Sequence, residues 1–263
     1  MNFDLVSDLH IDAWPNSEQI PWVGLPTSLI CVVAGDVSSN PDYTLLELTR
    51  LSVVYKHVIF IDGNNEHRFN NYSSVVPMQQ YLHAQISRHF TNVTYLYDKV
   101  AIVNNVAFIG ANGWWTYDYG EPDYSSAECR NDFEIAAGTY SGVSESLLNV
   151  AEEDAEFLCF NLNKLQYQNN IQDIVLVTHT VPNRQLISKN WNMKGTYYQG
   201  TVGNTLMETV LDYDYQGKVK AWCFGHCHDE TDKMIGDVRF VSNPRGRPND
   251  FNRKVYYPKL ITL

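Results

Sequence analysis

The feature that most restricts the fold of this 263-residue chain is a repeated arrangement, in which short β-branched runs stop abruptly at a polar cluster. Val6 runs into Ser7-Asp8-Leu9-His10, Val33 into Ala34-Gly35-Asp36, Ile61 into Asp62-Gly63-Asn64, Val177 into Thr178-His179, and Phe224 into Gly225-His226. Such runs, bounded by turn residues, read as strands. In open α/β sheets ligands bind beyond the carboxyl ends of strands, so strand ends that repeatedly terminate in Asp, Asn or His mark one edge of the sheet as a ligand site.

The remaining pattern supplies the scaffold. Strands are predicted at 3–6, 29–33, 57–61, 101–109, 174–177, 219–224, 238–241 and 255–261, with helices at 43–55, 75–90, 144–167 and 202–211. The early strands alternate with helices or loops, a rhythm that implies an α/β sheet covered by helices. Residues 111–142 break the rhythm with Trp114, Trp115, Tyr117, Tyr119, Tyr124, Phe133 and Tyr140 set among Asp118, Glu121, Asp123, Glu128, Asp132 and Glu134. With no internal repeat or flexible linker, the expectation is a single domain over 1–263 that carries this acidic, aromatic insertion.

Composition narrows the partners. A formal charge of -11 and a pI near 5.1 oppose binding to duplex nucleic acid. No apolar run is long enough to span a membrane, and Asn2-Phe3-Asp4-Leu5 opens the chain without the basic start of a leader. Five cysteines, none in a CxxC pair, suit reduced thiols, so a cytoplasmic setting is expected.

Each polar cluster has an ordinary explanation when taken alone. Asp36 suits a helix cap, Asn64 a left-handed turn, and His179 a hydrogen-bonded core position. Asp8 and His10, two residues apart, and His226 and His228, two apart after a glycine, have the spacing that lets both members of a pair face one ion. The whole set of Asp, His, Asp, Asn and three further His at successive strand ends is hard to obtain from turn chemistry. Mixed oxygen and imidazole ligands point to two divalent cations, with Mn favoured and Fe, Zn or Ni as alternatives, rather than Ca.

In order and spacing, Asp8-Leu9-His10, Gly35-Asp36, Gly63-Asn64-Asn65-Glu66, Thr178-His179 and Gly225-His226-Cys227-His228 resemble the five motifs of the calcineurin-like metallophosphoesterases, and Asn243-Pro244-Arg245-Gly246 is similar to a tail in some bacterial and phage members. The resemblance implies a two-sheet β-sandwich flanked by helices, in four α/β/β/α layers. It further implies that Asp8, His10 and His228 hold one metal, that Asn64, His179 and His226 hold the second, and that Asp36 bridges them. A hydroxide between the metals would then attack phosphorus in line.

One position departs from that pattern. Most members have His after the metal-binding Asn, and here Asn65 stands there, unable to act as a general acid. Three readings follow: His67 supplies the proton from two residues on, the substrate has a leaving group acidic enough to need none, or turnover is weak. Arg245 and Arg247 are candidates for gripping phosphate, and Trp114 for stacking a nucleobase. The implied activity is phosphoester hydrolysis of a phosphorylated small molecule or nucleotide, with diesters or anhydrides that have acidic leaving groups cleaved faster than alkyl monoesters. A serine/threonine-type protein phosphatase and a noncatalytic scaffold are the alternatives.

Overall fold

The computed structural model describes residues 1–16, 19–73, 75–119, 125–139, 141–187, 200–250 and 255–263. Two mixed sheets face each other. In the first, β1 (Asn2–Val6), β2 (Ile30–Ala34), β3 (His57–Ile61) and β4 (Val93–Tyr95) run parallel, and β11 (Lys259–Thr262) closes the edge antiparallel to β1. In the second, β6 (Val106–Ala111), β7 (Asp173–Thr178), β8 (Val219–Phe224) and β10 (Val238–Ser242) run parallel. Its edges are the antiparallel strands β5 (Val100–Val103) and β9 (Thr231–Ile235).

Alternation along the strands explains the layering, because successive side chains point to opposite faces. Phe3, Leu5, Val32, Ala34, Ile59 and Ile61 of the first sheet meet Phe108, Val175, Val177, Ala221, Cys223 and Val241 of the second in a shared core. The odd-phase residues Val6, Cys31, Val33, Val58 and Phe60 face outward onto Leu48 and Leu51 of α1 (Pro41–Val54) and Met78, Leu82 and Ile86 of α2 (Val75–His89). On the far side Ala107, Ile109, Ile174, Leu176 and Trp222 pack on Ala155, Leu158, Leu162 and Leu165 of α4 (Val143–Gln166). The result is the expected four-layer α/β/β/α sandwich. No helix among the described residues is long and apolar enough to cross a membrane.

Local signals account for the element ends. Asn40 caps α1 through Asp42 N with Pro41 at the first turn, a favourable helix start. The run 101–109, expected as one strand, is a hairpin, because Asn104 and Asn105 both adopt positive φ and reverse the chain between β5 and β6. Within the expected insertion, α3 (Ser126–Ala137) forms behind a Ser125–Glu128 capping box and ends at Gly138 in the left-handed region. Residues 120–124 and 140 of that segment lie outside the described residues. The expected helix at 202–211 is instead a 3-10 helix over Thr205–Tyr213, capped by Asn204.

Candidate metal centre

Backbone hydrogen bonds tie the carboxyl end of β1 to that of β2, and the end of β7 to that of β8. Asp8 N donates to Gly35 O at 3.0 Å, His10 N to Asp36 O at 3.1 Å and Gly225 N to His179 O at 2.9 Å. Two glycines permit this crowding. A Cβ on Gly35 would sit 2.5 Å from His179 Nδ1, and one on Gly63 would overlap the Asp36 carboxylate. Asp8, His10, Asp36, His226 and His228 all take positive φ, between 42° and 74°, so the loops curl tightly enough to turn these side chains toward one another.

Their side chains form two joined groups. One ligand atom each of Asp8, His10, Asp36 and His228 lies within 4.8 Å of the others, and the His10 and His228 Nε2 atoms face each other at 2.8 Å. In the second group, Asn64 Oδ1 lies 3.0 Å from His179 Nε2 and 2.9 Å from His226 Nδ1. Asp36 joins the two, with one oxygen 3.2 Å from His179 Nε2 and the other 3.6 Å from His10 Nε2.

Outer partners fix which nitrogen of each ring is available. His179 Nδ1 faces Ala34 O at 3.0 Å, His226 Nε2 faces Thr201 O at 2.8 Å, and His228 Nδ1 faces Asp250 Oδ2 at 2.6 Å. A carbonyl or carboxylate oxygen only accepts, so those ring nitrogens donate, and when each ring is neutral its inward nitrogen carries the lone pair. Glu66 holds the loops behind the site, accepting from Asp36 N at 3.1 Å, Val37 N at 2.8 Å, Ser38 N at 3.1 Å, Gly63 N at 2.7 Å and Thr44 Oγ1 at 3.1 Å.

The electrostatics match a cation site. Burial pushes His10 well below the ordinary imidazole value and His226 down to about 3, keeping both neutral as ligands must be. Burial alone would lower His179 as well, but the Asp36 carboxylate raises it to about 10. Burial likewise opposes ionisation of Asp36, yet His179 holds it well below the usual carboxylate range. Burial lifts Asp8. Its Oδ1 accepts from His226 N at 2.8 Å, while Oδ2 is buried with no hydrogen-bond partner among the described residues, an acceptor that a cation would satisfy. Two carboxylates, an amide oxygen and four imidazoles fit two borderline divalent ions.

No family model matches the sequence, and no curated protein matches it. Among solved structures, the fold is similar to the phosphopantetheinyl hydrolase of Mycobacterium tuberculosis, with TM-score 0.70 and 19% identity over 94% of this chain and 90% of that one. The chain has the calcineurin-like metallophosphoesterase fold. A dimetal phosphatase from Danio rerio is also similar, with TM-score 0.50 and 14% identity over 93% of this chain and 87% of that one. On this metallophosphoesterase fold, the residues discussed above occupy the edge where the two sheets' strand ends meet.

A cleft of about 490 Å³ opens beside the cluster, lined by Asp36, Asn64, Asn65, His226 and His228 on the metal side and by Arg68, Tyr72, Trp115, Ala137, Arg247 and Asp250 around them. Trp115, Ala136 and Ala137 bring the 111–142 segment to its wall. Asn65 lies at the floor, its Nδ2 donating to Asp36 Oδ2 and its backbone N to Asp36 Oδ1 at 2.8 Å, while its Oδ1 accepts from Arg247 Nη2 at 3.0 Å.

Three expected contributors are placed away from this cleft. His67 is 1% exposed, with Nε2 bonded to Asp62 Oδ2 at 2.6 Å and its ring edge-on to Trp114, so it cannot reach a leaving group there. Trp114 is fully buried in a cluster with Trp115, Tyr117 and Phe133, and has no free face for a base. Arg245 is buried with its guanidinium 4.0 Å from the Trp14 ring centroid and Nη1 donating to Leu9 O at 3.4 Å. In each case packing prevailed over a polar role. Glu66 and Asp250 went unassigned from the sequence. Glu66 was visible as the end of Gly63-Asn64-Asn65-Glu66, whereas nothing in the pattern around Asp250 signalled its bond to His228.

Proposed function

We propose that the protein is a metal-dependent phosphoester hydrolase acting on a small phosphorylated substrate, a diester or nucleotide in preference to an alkyl monoester. The observation that carries the reading is the pair of ligand groups joined through Asp36. In this reading Asp8, His10 and His228 hold one divalent ion, Asn64, His179 and His226 the other, and Asp36 both. Two such ions, with Mn favoured over Fe, Zn or Ni, supply acidity to water and neutralise charge on phosphoryl oxygens.

The chain's own groups do the rest. Ala34 O, Thr201 O and Asp250 orient three imidazoles, which removes their rotational freedom before substrate arrives. Arg247 and Arg68 offer cationic donors to the substrate's anionic oxygens, and Trp115 and Tyr72 form an apolar side wall. The cleft volume falls within the range of small-ligand sites, roughly 300–1,000 Å³. That size favours a small molecule over the phosphoprotein of the alternative reading. The relative with phosphopantetheinyl hydrolase activity in its name supports hydrolysis of a small phosphorylated substrate. All five cysteines are free thiols, which supports a reducing, cytoplasmic setting.

The test is a screen of Mn-loaded protein against monoesters, linear and cyclic diesters, nucleotides and phosphopeptides. Hydrolysis confined to phosphopeptides would favour the protein phosphatase. Asp36→Asn should reduce turnover by about 10³-fold or more, with the far-ultraviolet circular dichroism of the fold preserved. Wild-type rates in that variant would remove Asp36 from the reaction.

A further inference from the structure

A second cavity, of about 130 Å³, lies between α2 and α4 at the ends of β3, β4 and β6. No residue lines both it and the cleft beside the metal ligands. Its charge is one-sided. Asp62, Asp98, Glu153 and Asp154 bring carboxylates to it, and no Lys, Arg or His lines it among the described residues. Asp98 and Glu153 are exposed, whereas Asp62, Gln79, Tyr95 and Asn112 are buried, so the cavity leads inward from solvent-facing carboxylates to buried polar groups.

One of those buried groups has nothing to accept from. Asn112 is 1% exposed, and its Nδ2 donates to Asp62 Oδ2 at 3.3 Å. The same carboxylate faces His67 Nε2 at 2.6 Å and accepts from the Tyr95 hydroxyl at 2.7 Å. Because a carboxylate only accepts, the amide is fixed with its nitrogen toward Asp62. Asn112 Oδ1 is left buried with no hydrogen-bond partner among the described residues, a costly state that a donor in the cavity would relieve. Nearby, Asp154 Oδ2 accepts from Gly113 N at 2.8 Å and Trp114 N at 3.2 Å. Burial, with the neighbouring Asp62 and Glu153 charges, pushes Asp154 up to about 8, and a bound cation would favour its charged form.

The missing occupant is therefore a donor with positive charge. A bare metal ion fits poorly, because among the described residues only Asp8, His10, Asp36 and His228 converge closely enough to ligate one, so no three of these carboxylates do. A cation whose charge is spread along a chain can reach groups that stand apart. Tyr95 and Tyr97, stacked with ring centroids 5.8 Å apart, and Phe157 offer aromatic surface that attracts ammonium groups and covers methylenes. The volume is well below the roughly 300–1,000 Å³ of drug-sized sites, which restricts the ligand to a short one.

We propose that this cavity binds a short alkyl diamine in its diammonium form, one end donating to Asn112 Oδ1 and Asp154 and the other to the exposed carboxylates of Asp98 and Glu153. The site stands independently of the hydrolase reading. Its occupant adjoins groups that support the metal centre, since Asn112 O accepts from His179 N at 2.9 Å and Asp154 holds Trp114, next to Trp115 of the cleft wall.

The experiment titrates 1,4-diaminobutane into Mn-loaded protein by calorimetry, with 1,4-butanediol and magnesium chloride as controls. The diamine should bind saturably at one equivalent, and the uncharged diol at least about tenfold more weakly. Asp154→Asn keeps an oxygen for Gly113 N and Trp114 N but loses the charge, and should weaken diamine binding about tenfold or more. Glu153→Gln, an exposed change that leaves the fold intact, should weaken it by about threefold. In nuclear magnetic resonance spectra the Gly113 and Trp114 amides should shift on adding diamine to wild type. Asp36→Asn, which alters only the metal centre, should bind the diamine as wild type does. Wild-type affinity in both Asp154→Asn and Glu153→Gln would reduce the binding to general attraction by an acidic surface and overturn the proposal. So would equal binding of the diol, or a loss in Asp36→Asn as large as that in Asp154→Asn. Magnesium binding abolished by Asp154→Asn, without diamine binding, would make this an inorganic cation site and overturn it as well.

Discussion

At the scale of single residues, the site depends on groups that never touch an ion. Glu66 gathers four backbone N–H groups and the Thr44 hydroxyl from two loops, and burial together with the Asp36 charge raises its pKa to about 8. In Glu66→Gln one acceptor oxygen becomes a donor aimed at backbone N–H groups. That change should cost about 1–3 kcal/mol of stability in urea unfolding and lower metal affinity about 10–100-fold. His179 gives a second prediction. In metal-free protein its pKa of about 10 keeps it protonated at neutral pH, whereas a ligand must be neutral. Metal uptake at pH 7–8 should therefore release a proton from this residue, detectable with an indicator dye in weak buffer. Affinity should fall by about tenfold for each unit that pH is lowered through this range. Uptake without proton release would show that His179 is already neutral before the ion arrives. The proposed ligand positions stood out in the sequence because each follows the end of a β-branched run. The burial of His67, Trp114 and Arg245 did not, because a buried polar contact such as His67 to Asp62 depends on residues whose proximity only the fold creates.

Elements deliver those residues by ending in the right place. β2 stops at Ala34, and Gly35 at φ 79° swings the chain so that Asp36 enters the cluster while the glycine's bare α-carbon passes the His179 ring. Gly35→Ala adds a Cβ 2.5 Å from His179 Nδ1 and 2.9 Å from Gly63 Cα, at a φ that L residues resist. It should destabilise the fold by about 1–3 kcal/mol and leave purified protein substoichiometric in metal by elemental analysis. Normal metal content together with a normal melting temperature would contradict that geometry. Central strands and the long helices were legible because period 2 and period 3.6 persist over whole segments. α4 was expected at 144–167 and spans Val143–Gln166. Shorter pieces were not: β4 and β9 are edge strands with weak alternation, and the β5–β6 hairpin hid inside one apolar run because two asparagines make the turn. α3 has a capping box, Ser125 to Glu128, that the aromatic residues around it obscured.

For the molecule as a whole, the two halves of the site belong to different sheets, so the cage exists only when the sandwich is closed. Asp8, Asp36 and Asn64 follow strands of the first sheet, and His179, His226 and His228 follow strands of the second. Ions that bind this folded arrangement and not the open chain add about 2.7 kcal/mol at a hundred times their dissociation constant. For a chain of this size that corresponds to a rise in melting temperature of roughly 5–10 °C. Calorimetric scans with Mn and with chelator test it, and identical midpoints would mean that the cage binds nothing. The four-layer architecture was legible because the motif resemblance extends from Asp8 to His228. The last strand was legible only in part: expected at 255–261, it is β11 at Lys259–Thr262, and the described residues before it from 255 are outside the sheet.

The left-handed backbone at Asp8, His10, Asp36, His226 and His228 also constrains how such a chain diverges over evolutionary time. Few side chains tolerate that conformation, and those enriched in it, Asn, Asp and His, are also those that bind divalent ions. Drift at these five positions is confined by the backbone to a small alphabet that largely coincides with metal-binding side chains. New specificities would be inherited through the rim, on an unchanging centre.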